Sequence, residues 1–279
     1  MFWLPILEFV YIIVLVLVCL KIVYDTRTTT KTLAYLLFAI FVPVAGILFY
    51  FLFGINYRNR KMYSKKLFAN EELALQLSEE IYQKSKQTLV ENRDVVKDKG
   101  LAYMLLNDTQ SPLTSNNRVK LLINGEEKFP EVIKVLKAAK HHIHLEYYIY
   151  ENDEIGKQIE NILIEKAREG VTVRFIYDDF GSYFIRKNMV NRLRENGVLV
   201  FPFLKINFIF FANRLNYRNH RKLIIVDGKT AFMGGINISD RYINRPNSEA
   251  LFWRDTHLRI DGSGVLYLQY LFLCDWNFC

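Results

Sequence analysis

Cysteine is scarce in this chain: its 279 residues contain three, and they are far from evenly placed. Cys19 lies in an apolar stretch, whereas Cys274 and Cys279 lie close to the last residue. Small secreted domains that depend on disulfide bonds contain many more cysteines than this. The sequence therefore excludes a disulfide-stabilised secreted domain and fits a folded part that lies in a reducing compartment.

Histidine is also scarce, with five residues in all. Three of them, His141, His142 and His144, lie close together, and an H-x-H pair on a strand is a pattern found in zinc sites. No cysteine or further histidine lies near these three in the sequence. We therefore expect neither a metal nor a cofactor.

Charged residues are nearly absent from the start of the chain, where the first 23 residues contain only Glu8 and Lys21. A helix needs about 20 apolar residues to cross a bilayer. The sequence therefore predicts a two-helix transmembrane hairpin in residues 1–56, with spans at about 3–23 and 33–53. A cleaved signal peptide is disfavoured because the chain has no basic start and no small-residue cleavage site. Helices of a soluble core are disfavoured because neither segment has a polar stripe.

Basic residues dominate the segment that follows the predicted hairpin. Residues 57–110 are predicted to form a basic collar and a helical linker, and the collar contains Arg58, Arg60, Lys61, Lys65 and Lys66. Lysine and arginine are enriched on the cytoplasmic side of membrane segments, so we expect everything after residue 56 to be cytoplasmic. The net charge of +8 suits an acidic partner, either lipid or nucleic acid.

Apolar strand patterns alternate with helix patterns in the third part of the chain, residues 111–279. The predicted strands are 119–123, 142–150, 171–177, 198–203, 222–226 and 230–233, and the predicted helices are 130–140, 155–169, 183–196 and 265–278. Such alternation is typical of an α/β domain with a mostly parallel sheet flanked by helices.

One run of residues carries chemistry, and its pattern is H-x-K-x4-D-x6-G-G-x-N, from His220 to Asn237. Residues two apart on a strand share a face, so His220 and Lys222 are predicted to point the same way. A neutral imidazole can attack a phosphodiester and form a phosphohistidine. Lys222 would neutralise the phosphate charge, and Asn237 would donate hydrogen bonds to the same oxygens. The carboxylate that holds the imidazole would be Asp227 or Asp255.

Each of these residues alone has a plainer explanation. A lone histidine in a basic stretch is more often structural than catalytic, and Lys222 alone would be a surface lysine. Asp227 stands before a glycine, where aspartate is usually a turn former. The functional interpretation depends on the conjunction of complementary groups at a fixed spacing.

The run resembles the HKD motif of the phospholipase D superfamily, and the chain more narrowly resembles bacterial cardiolipin synthase. Residues that carry the resemblance are His220, Lys222, Asp227, Gly234, Gly235 and Asn237, with the stretches 143–149, 177–182 and 253–258. The resemblance extends from the first predicted span to the last residue.

The resemblance implies a function and roles for individual residues. The motif histidine His220 would be the nucleophile, Lys222 and Asn237 would bind phosphate, and Asp255 would orient the imidazole. Two molecules of phosphatidylglycerol would give cardiolipin and glycerol at the inner membrane of a bacterium, without a metal. Asp227 is expected to act with His220 and Lys222 as a catalytic residue, in a supporting or electrostatic role. Supporting or phosphate-binding roles are expected for Gly235 and Glu146, and Glu146 is a possible pocket residue.

The motif occurs once, whereas members of the superfamily normally combine two copies, the second histidine acting as general acid. We therefore expect a truncated or half enzyme; the alternatives are a homodimer with one motif from each protomer, and a catalytically silent lipid-binding fragment. Hydrolysis of a lipid or nucleic acid phosphodiester is the second functional hypothesis, with nucleic acid disfavoured by the hairpin.

Three other features contain candidate functional residues, and two of these features have two interpretations each. Asp178 and Asp179 end a predicted strand and are either metal ligands or turn residues. His257 is interpreted as structural. The aromatic run 208–211 is predicted to be either core or a loop that enters the bilayer.

Overall fold

The structure is a computed structural model that describes residues 3–26, 29–51, 71–91, 98–109, 111–203, 205, 218–246 and 251–279. Its contacts divide the chain into two compact units, residues 1–66 with 206–217 and residues 67–205 with 218–279. The predicted basic collar and the aromatic run 208–211 lie outside the described residues.

The described part of the first unit is helical. Its helices are α1 (Trp3–Asp25), α2 (Thr29–Phe41) and α3 (Pro43–Phe49). The break between α2 and α3 falls at Val42, whose extended φ of −127° and ψ of 69° reflect the proline that follows it. A small core of Val18, Ile22, Ala39 and Tyr50 joins the helices.

The transmembrane hairpin predicted from the sequence is not confirmed by these helices. In the part of the chain that the structure describes, none of the helices combines the length and the apolar character that a bilayer crossing requires. The second predicted span is divided between two short helices, because Pro43 interrupts it.

The second unit contains one sheet and six helices among its described residues. The helices are α4 (Glu71–Glu91), α5 (Lys99–Thr109), α6 (Asn124–Lys137), α7 (Glu154–Arg168), α8 (Asn188–Glu195) and α9 (Gly264–Phe278). The strands are β1 (Arg118–Ile123), β2 (His142–Tyr147), β3 (Thr172–Tyr177), β4 (Leu199–Pro202), β5 (Lys222–Val226), β6 (Thr230–Gly234) and β7 (Thr256–Asp261). Most of the predicted strands and helices are confirmed within a few residues.

The sheet has the order β1-β7-β6-β5-β2-β3-β4. Among the described strands, β2, β3 and β4 pair in parallel, and the four other pairings are antiparallel. The predicted mostly parallel sheet is therefore wrong. Among the described strands, helices connect the parallel neighbours β2 to β3 and β3 to β4. The tight turn at 227–229 reverses the chain, so β6 runs antiparallel to β5.

Both faces of the sheet are covered. On one face, Ile143, Leu145 and Tyr147 of β2 pack with α6, α7 and α8 in the main core. On the other face, a smaller core is formed with α9 through Val265 and Phe272. Burial on both sides explains why β5 is an uninterrupted buried segment after its first lysine.

One edge of the sheet collects the ends of five strands. The registers place the ends of β2, β3 and β6 beside the beginnings of β5 and β7. We call this the site edge, and it consists of residues 148–150, 178–184, 218–221, 235–239 and 251–255. The turn between β5 and β6 lies at the opposite edge, because β5 runs from one edge to the other.

Candidate active site

His220 and Lys222 meet at the site edge, as the sequence predicts. Lys222 is the first residue of β5 and is buried, whereas His220 is exposed just before the strand. The Lys222 ammonium lies 3.0 Å from Nδ1 and 3.1 Å from Nε2 of His220, and it donates to the His220 carbonyl oxygen at 2.9 Å. The Tyr148 ring lies against the imidazole, with 4.6 Å between centroids.

The electrostatics of this pair favour a neutral imidazole. Burial and the positive charge of Lys222 lower the pKa of His220, and the opposing effect of Asp178 is smaller. Burial also lowers the pKa of Lys222 to about 8, although Asp255 raises it in part. Near neutral pH the site therefore presents an unprotonated imidazole beside a cation, a combination that suits attack on a phosphodiester.

Asp178 supplies the carboxylate whose charge acts on His220. It is buried at the end of β3, and its Oδ1 accepts hydrogen bonds from the amides of Phe180 at 3.0 Å and Gly181 at 2.9 Å. Its Oδ2 is buried and has no hydrogen-bond partner among the described residues. Of the two interpretations left open from the sequence, these bonds support the turn residue, and they add an electrostatic contribution that the motif did not reveal.

Asn237 lies at the site edge, where its side chain forms hydrogen bonds to the segment after β2 and to Tyr242. Its Oδ1 accepts from the amide of Ile149 at 3.1 Å, and its Nδ2 donates to the hydroxyl of Tyr242 at 2.7 Å. The side-chain amide carries two hydrogens, so one remains after the bond to Tyr242. Donation of that hydrogen to phosphate stays a prediction.

Asp255 lies beside Gly235 rather than in hydrogen-bond contact with the imidazole. Gly235 leaves room for this close approach, because a Cβ at position 235 would overlap the Asp255 carboxylate unless that side chain moved. The Asp255 amide donates to Oδ1 of Asn124 at 3.0 Å, and its carboxylate accepts from the amide of Thr256 at 2.6 Å. Its charge raises the pKa of Lys222. The orienting role toward His220 stays a prediction.

Asp227 is not part of the cluster around His220, and a direct catalytic role for it is corrected. The five residues of β5 separate the two by about 17 Å of strand. Its carboxylate accepts hydrogen bonds from the amides of Lys140, His141 and His142 at 2.8–2.9 Å. Burial would raise its pKa, but these three bonds outweigh burial and lower it. Asp227 anchors the start of β2 at the opposite edge.

Tyr147 of β2 pairs with Lys222 and shares its face of the sheet. Glu146 precedes Tyr147 and therefore lies on the opposite face, because alternate residues of a strand face opposite sides. Its buried Oε1 accepts a hydrogen bond from Nδ2 of Asn219. Arg221 lies 3.9 Å from the same oxygen and forms an ion pair with Asp275 of α9. Burial raises the pKa of Glu146 to about 7, against smaller effects of Arg221 and Asn219. Glu146 thus supports both neighbours of His220 and is not a pocket residue.

Lys128 is a site component that the sequence interpretation missed. It is fully buried in α6, and its ammonium donates to the carbonyl oxygens of Ile236 at 2.8 Å and Asn237 at 3.1 Å. Burial lowers its pKa well below the usual value. Its position in the apolar stripe with Phe129 and Val132 is the pattern that would have identified it as a buried cation.

His257 is fully buried near the cations Lys128 and Lys222. Neither of its ring nitrogens has a hydrogen-bond partner among the described residues, and burial lowers its pKa to about 2. Lys128 and Lys222 lower it further by their charges. A ring that stays neutral beneath Gly234 fits the structural role expected from the sequence.

Two family descriptions match this chain. "Cardiolipin synthase, PLD-like domain" matches residues 132–259, which include the whole run from His220 to Asp255. "Phospholipase_D-nuclease N-terminal" matches residues 9–54. Both parts of the resemblance expected from the sequence are therefore found.

Whole-chain relatives are cardiolipin synthases. The chain is 38% identical over 277 residues to a cardiolipin synthase of Alkalihalophilus pseudofirmus, covering 98% of this chain and 53% of that protein. It is 38% identical over 274 residues to the major cardiolipin synthase of Bacillus subtilis, covering 97% of this chain and 56% of that protein. The chain thus spans about half the length of these relatives.

Among solved structures, NucT from Helicobacter pylori aligns with a TM-score of 0.46 at 16% identity, covering 59% of this chain and 98% of that one. The family match and the two relatives agree with the motif that the site geometry presents. Residues 132–259 are therefore similar to the phospholipase D-like domain of cardiolipin synthases, and most of the chain is similar to about half the length of bacterial cardiolipin synthases.

Proposed function

We propose that this chain provides a phosphatidyl-transfer site for the synthesis of cardiolipin from two molecules of phosphatidylglycerol. The observation that carries the proposal is the neutral imidazole of His220 held against the Lys222 ammonium, within a domain that matches cardiolipin synthases. The ammonium would hold a phosphate oxygen while the imidazole attacks phosphorus.

The reaction would proceed in two displacements. In the first, a nitrogen of His220 forms a bond to phosphorus, the bond from phosphorus to the glycerol oxygen breaks, and glycerol leaves after taking a proton. In the second, a hydroxyl of another phosphatidylglycerol attacks phosphorus, the bond to His220 breaks, and the hydroxyl proton is released to a base. The products are cardiolipin and glycerol, and the histidine is regenerated.

The proton for the leaving glycerol would come from a second motif histidine. The sequence contains the motif once, so that histidine must be contributed from outside these 279 residues. A second copy of the chain is one source, and the remaining half of a longer protein is another. Either arrangement would place a general acid opposite His220.

The first unit is proposed to hold the enzyme at the bacterial cell membrane, with the second unit in the cytoplasm. Large apolar side chains are exposed along α1, among them Phe9, Leu17 and Leu20. The match of residues 9–54 to an N-terminal family of phospholipase D proteins supports an origin shared with those proteins.

The test is to reconstitute the full chain with radiolabelled phosphatidylglycerol and to compare His220→Ala with His141→Ala, a change at an exposed histidine outside the site edge. Cardiolipin formation and a labelled phosphohistidine are expected in the unchanged protein and in His141→Ala, and both should disappear in His220→Ala. Phosphatidic acid as the sole product would identify a hydrolase instead. Lipid binding without any product would show that these 279 residues do not suffice for transfer, either because the second motif histidine is missing or because the protein only binds lipid.

A further inference from the structure

Two loops of the site edge expose large apolar side chains to solvent. Their large residues are Phe180, Tyr183 and Phe184 in the loop after β3, and Leu251, Phe252 and Trp253 in the segment before β7. Phe184 is 78% exposed and Leu251 is 86% exposed. Grouped apolar side chains with this exposure mark a surface that another molecule covers.

The two loops lie on opposite sides of the nucleophile. In the sheet order, β3 and β7 are each two strands from β5, which corresponds to about 10 Å on either side. The Phe180 ring lies 5.0 Å from the guanidinium of Arg218, two residues before His220. On the other side, Trp253 packs against Tyr242, with 5.3 Å between ring centroids. The two loops thus lie on either side of the exposed His220.

Each of the two loops presents an exposed cation, Lys187 in the first and Arg254 in the second. Arg186 forms an ion pair with the buried Asp179 at 2.9 Å. The other neighbouring carboxylates are Asp178, which is buried, and Asp255, which is half-buried. Aromatic rings combined with cations are the side chains that accumulate at the headgroup level of bilayers, and anionic lipids attract the cations.

We propose that these loops form a lipid-docking surface, which enters the headgroup region of an anionic bilayer and holds His220 at the depth of the phosphates. The identity of the phosphodiester as a lipid rests on the proposed function. The docking surface explains why both sides of the opening are apolar and cationic, a property that attack on a water-soluble phosphodiester does not require.

The first experiment measures contact with lipid independently of catalysis. In a full chain with its three cysteines replaced by serine, Phe184→Cys, Leu251→Cys and the control Val119→Cys each receive a nitrobenzoxadiazole label. Val119 is 56% exposed on β1, near the opposite edge of the sheet. The proteins are reconstituted in phosphatidylglycerol–phosphatidylcholine vesicles with and without lipids that carry a shallow spin label.

Quenching by the spin-labelled lipid at positions 184 and 251, and not at 119, is the expected result. Equal quenching at all three positions, or quenching at none, would overturn the proposal. Protection from aqueous iodide without lipid quenching, increasing with protein density, would assign the loops to a second protein copy instead. The same result is expected in His220→Ala, so a failure of the proposed transfer reaction does not affect this measurement.

The second experiment connects the surface to catalysis. The double variant Phe184→Ser with Leu251→Ser should lower transfer from vesicles at least tenfold, while transfer from short-chain phosphatidylglycerol below its micelle concentration stays within twofold. Val119→Ser should leave both activities within twofold. An equal loss on both substrates would show that the loops act on the site itself and would contradict docking to a bilayer.

Discussion

Replacing Glu146 with glutamine should stabilise the protein above neutral pH and leave its stability nearly unchanged at acidic pH. The carboxyl is 1% exposed, and burial raises its pKa to about 7. A raised pKa means that the folded state holds the proton more tightly than the unfolded state. Ionisation of the buried carboxyl therefore costs no stability below about pH 4.5, the pKa of Glu146 in the unfolded chain, and has its full cost above about pH 7.

The magnitude follows from the difference between the folded and unfolded pKa values. The rise of the pKa from 4.5 to about 7 corresponds to roughly 3 to 3.5 kcal/mol of lost stability above pH 7, at about 1.4 kcal/mol per pKa unit. Glutamine keeps an oxygen that can accept from Asn219 and carries no charge to desolvate. In a folded unit of this size, about 3 kcal/mol corresponds to a rise in Tm of roughly 5–10 °C.

Thermal unfolding followed by circular dichroism at pH 5 and pH 8 measures this effect. Glu165→Gln, a change at an exposed glutamate of α7, is the matched control and should shift Tm by less than about 2 °C at both pH values. A lower Tm of Glu146→Gln at pH 8, or a gain of the same size at both pH values, would refute the assignment of Glu146 as a buried acid that resists ionisation.

Three further changes test the rest of the site. The rate of phosphatidyl transfer should rise with pH as His220 loses its proton below about pH 6.5, and fall as Lys222 loses its proton near pH 8. Lys222→Arg should move the alkaline fall in rate upward by more than one pH unit. An unchanged alkaline fall would contradict the role of the Lys222 ammonium. Lys128→Met leaves the carbonyl oxygens of Ile236 and Asn237 without this hydrogen-bond donor. It should lower the free energy of unfolding in urea by about 1–3 kcal/mol, because removal of the buried charge offsets part of the loss. An unchanged free energy of unfolding would contradict this. Asp227→Asn should cost about 1–3 kcal/mol of unfolding free energy at pH 7, and less as the pH falls through the lowered pKa of Asp227. The rate of transfer should change less than threefold in the folded protein. A large loss of transfer with no loss of stability would indicate a catalytic role for Asp227.

The sequence predicted the parts of the site that depend on local geometry. His220 and Lys222 are two residues apart beside a strand, and that spacing alone brings them to the same place. The same reasoning failed for Asp227, because nearness in sequence becomes distance when a strand lies between two residues. Strand and helix positions were also predictable, since the apolar periodicity of each element is contained within it.

Interactions between distant segments were not predictable from one sequence. The charge of Asp178 reaches His220 because β3 and β5 both flank β2, and strand order is not written in either segment. The resemblance made Glu146 a possible pocket residue, and periodicity could not test this, because it shows that residues alternate between faces and does not show which face holds the site. The direction of β5 was missed for a related reason, because periodicity is the same in parallel and antiparallel strands.

The position of β5 has a consequence for how this architecture can change during evolution. Among the described strands it is the fourth of seven, so three strands lie on each side of it in the sheet. Amide hydrogens in such a central strand exchange with solvent only through large openings of the whole domain, whereas loops open locally. His220 is therefore attached to the strand that opens least, and the flanking loops can vary in length and composition while its imidazole keeps its position.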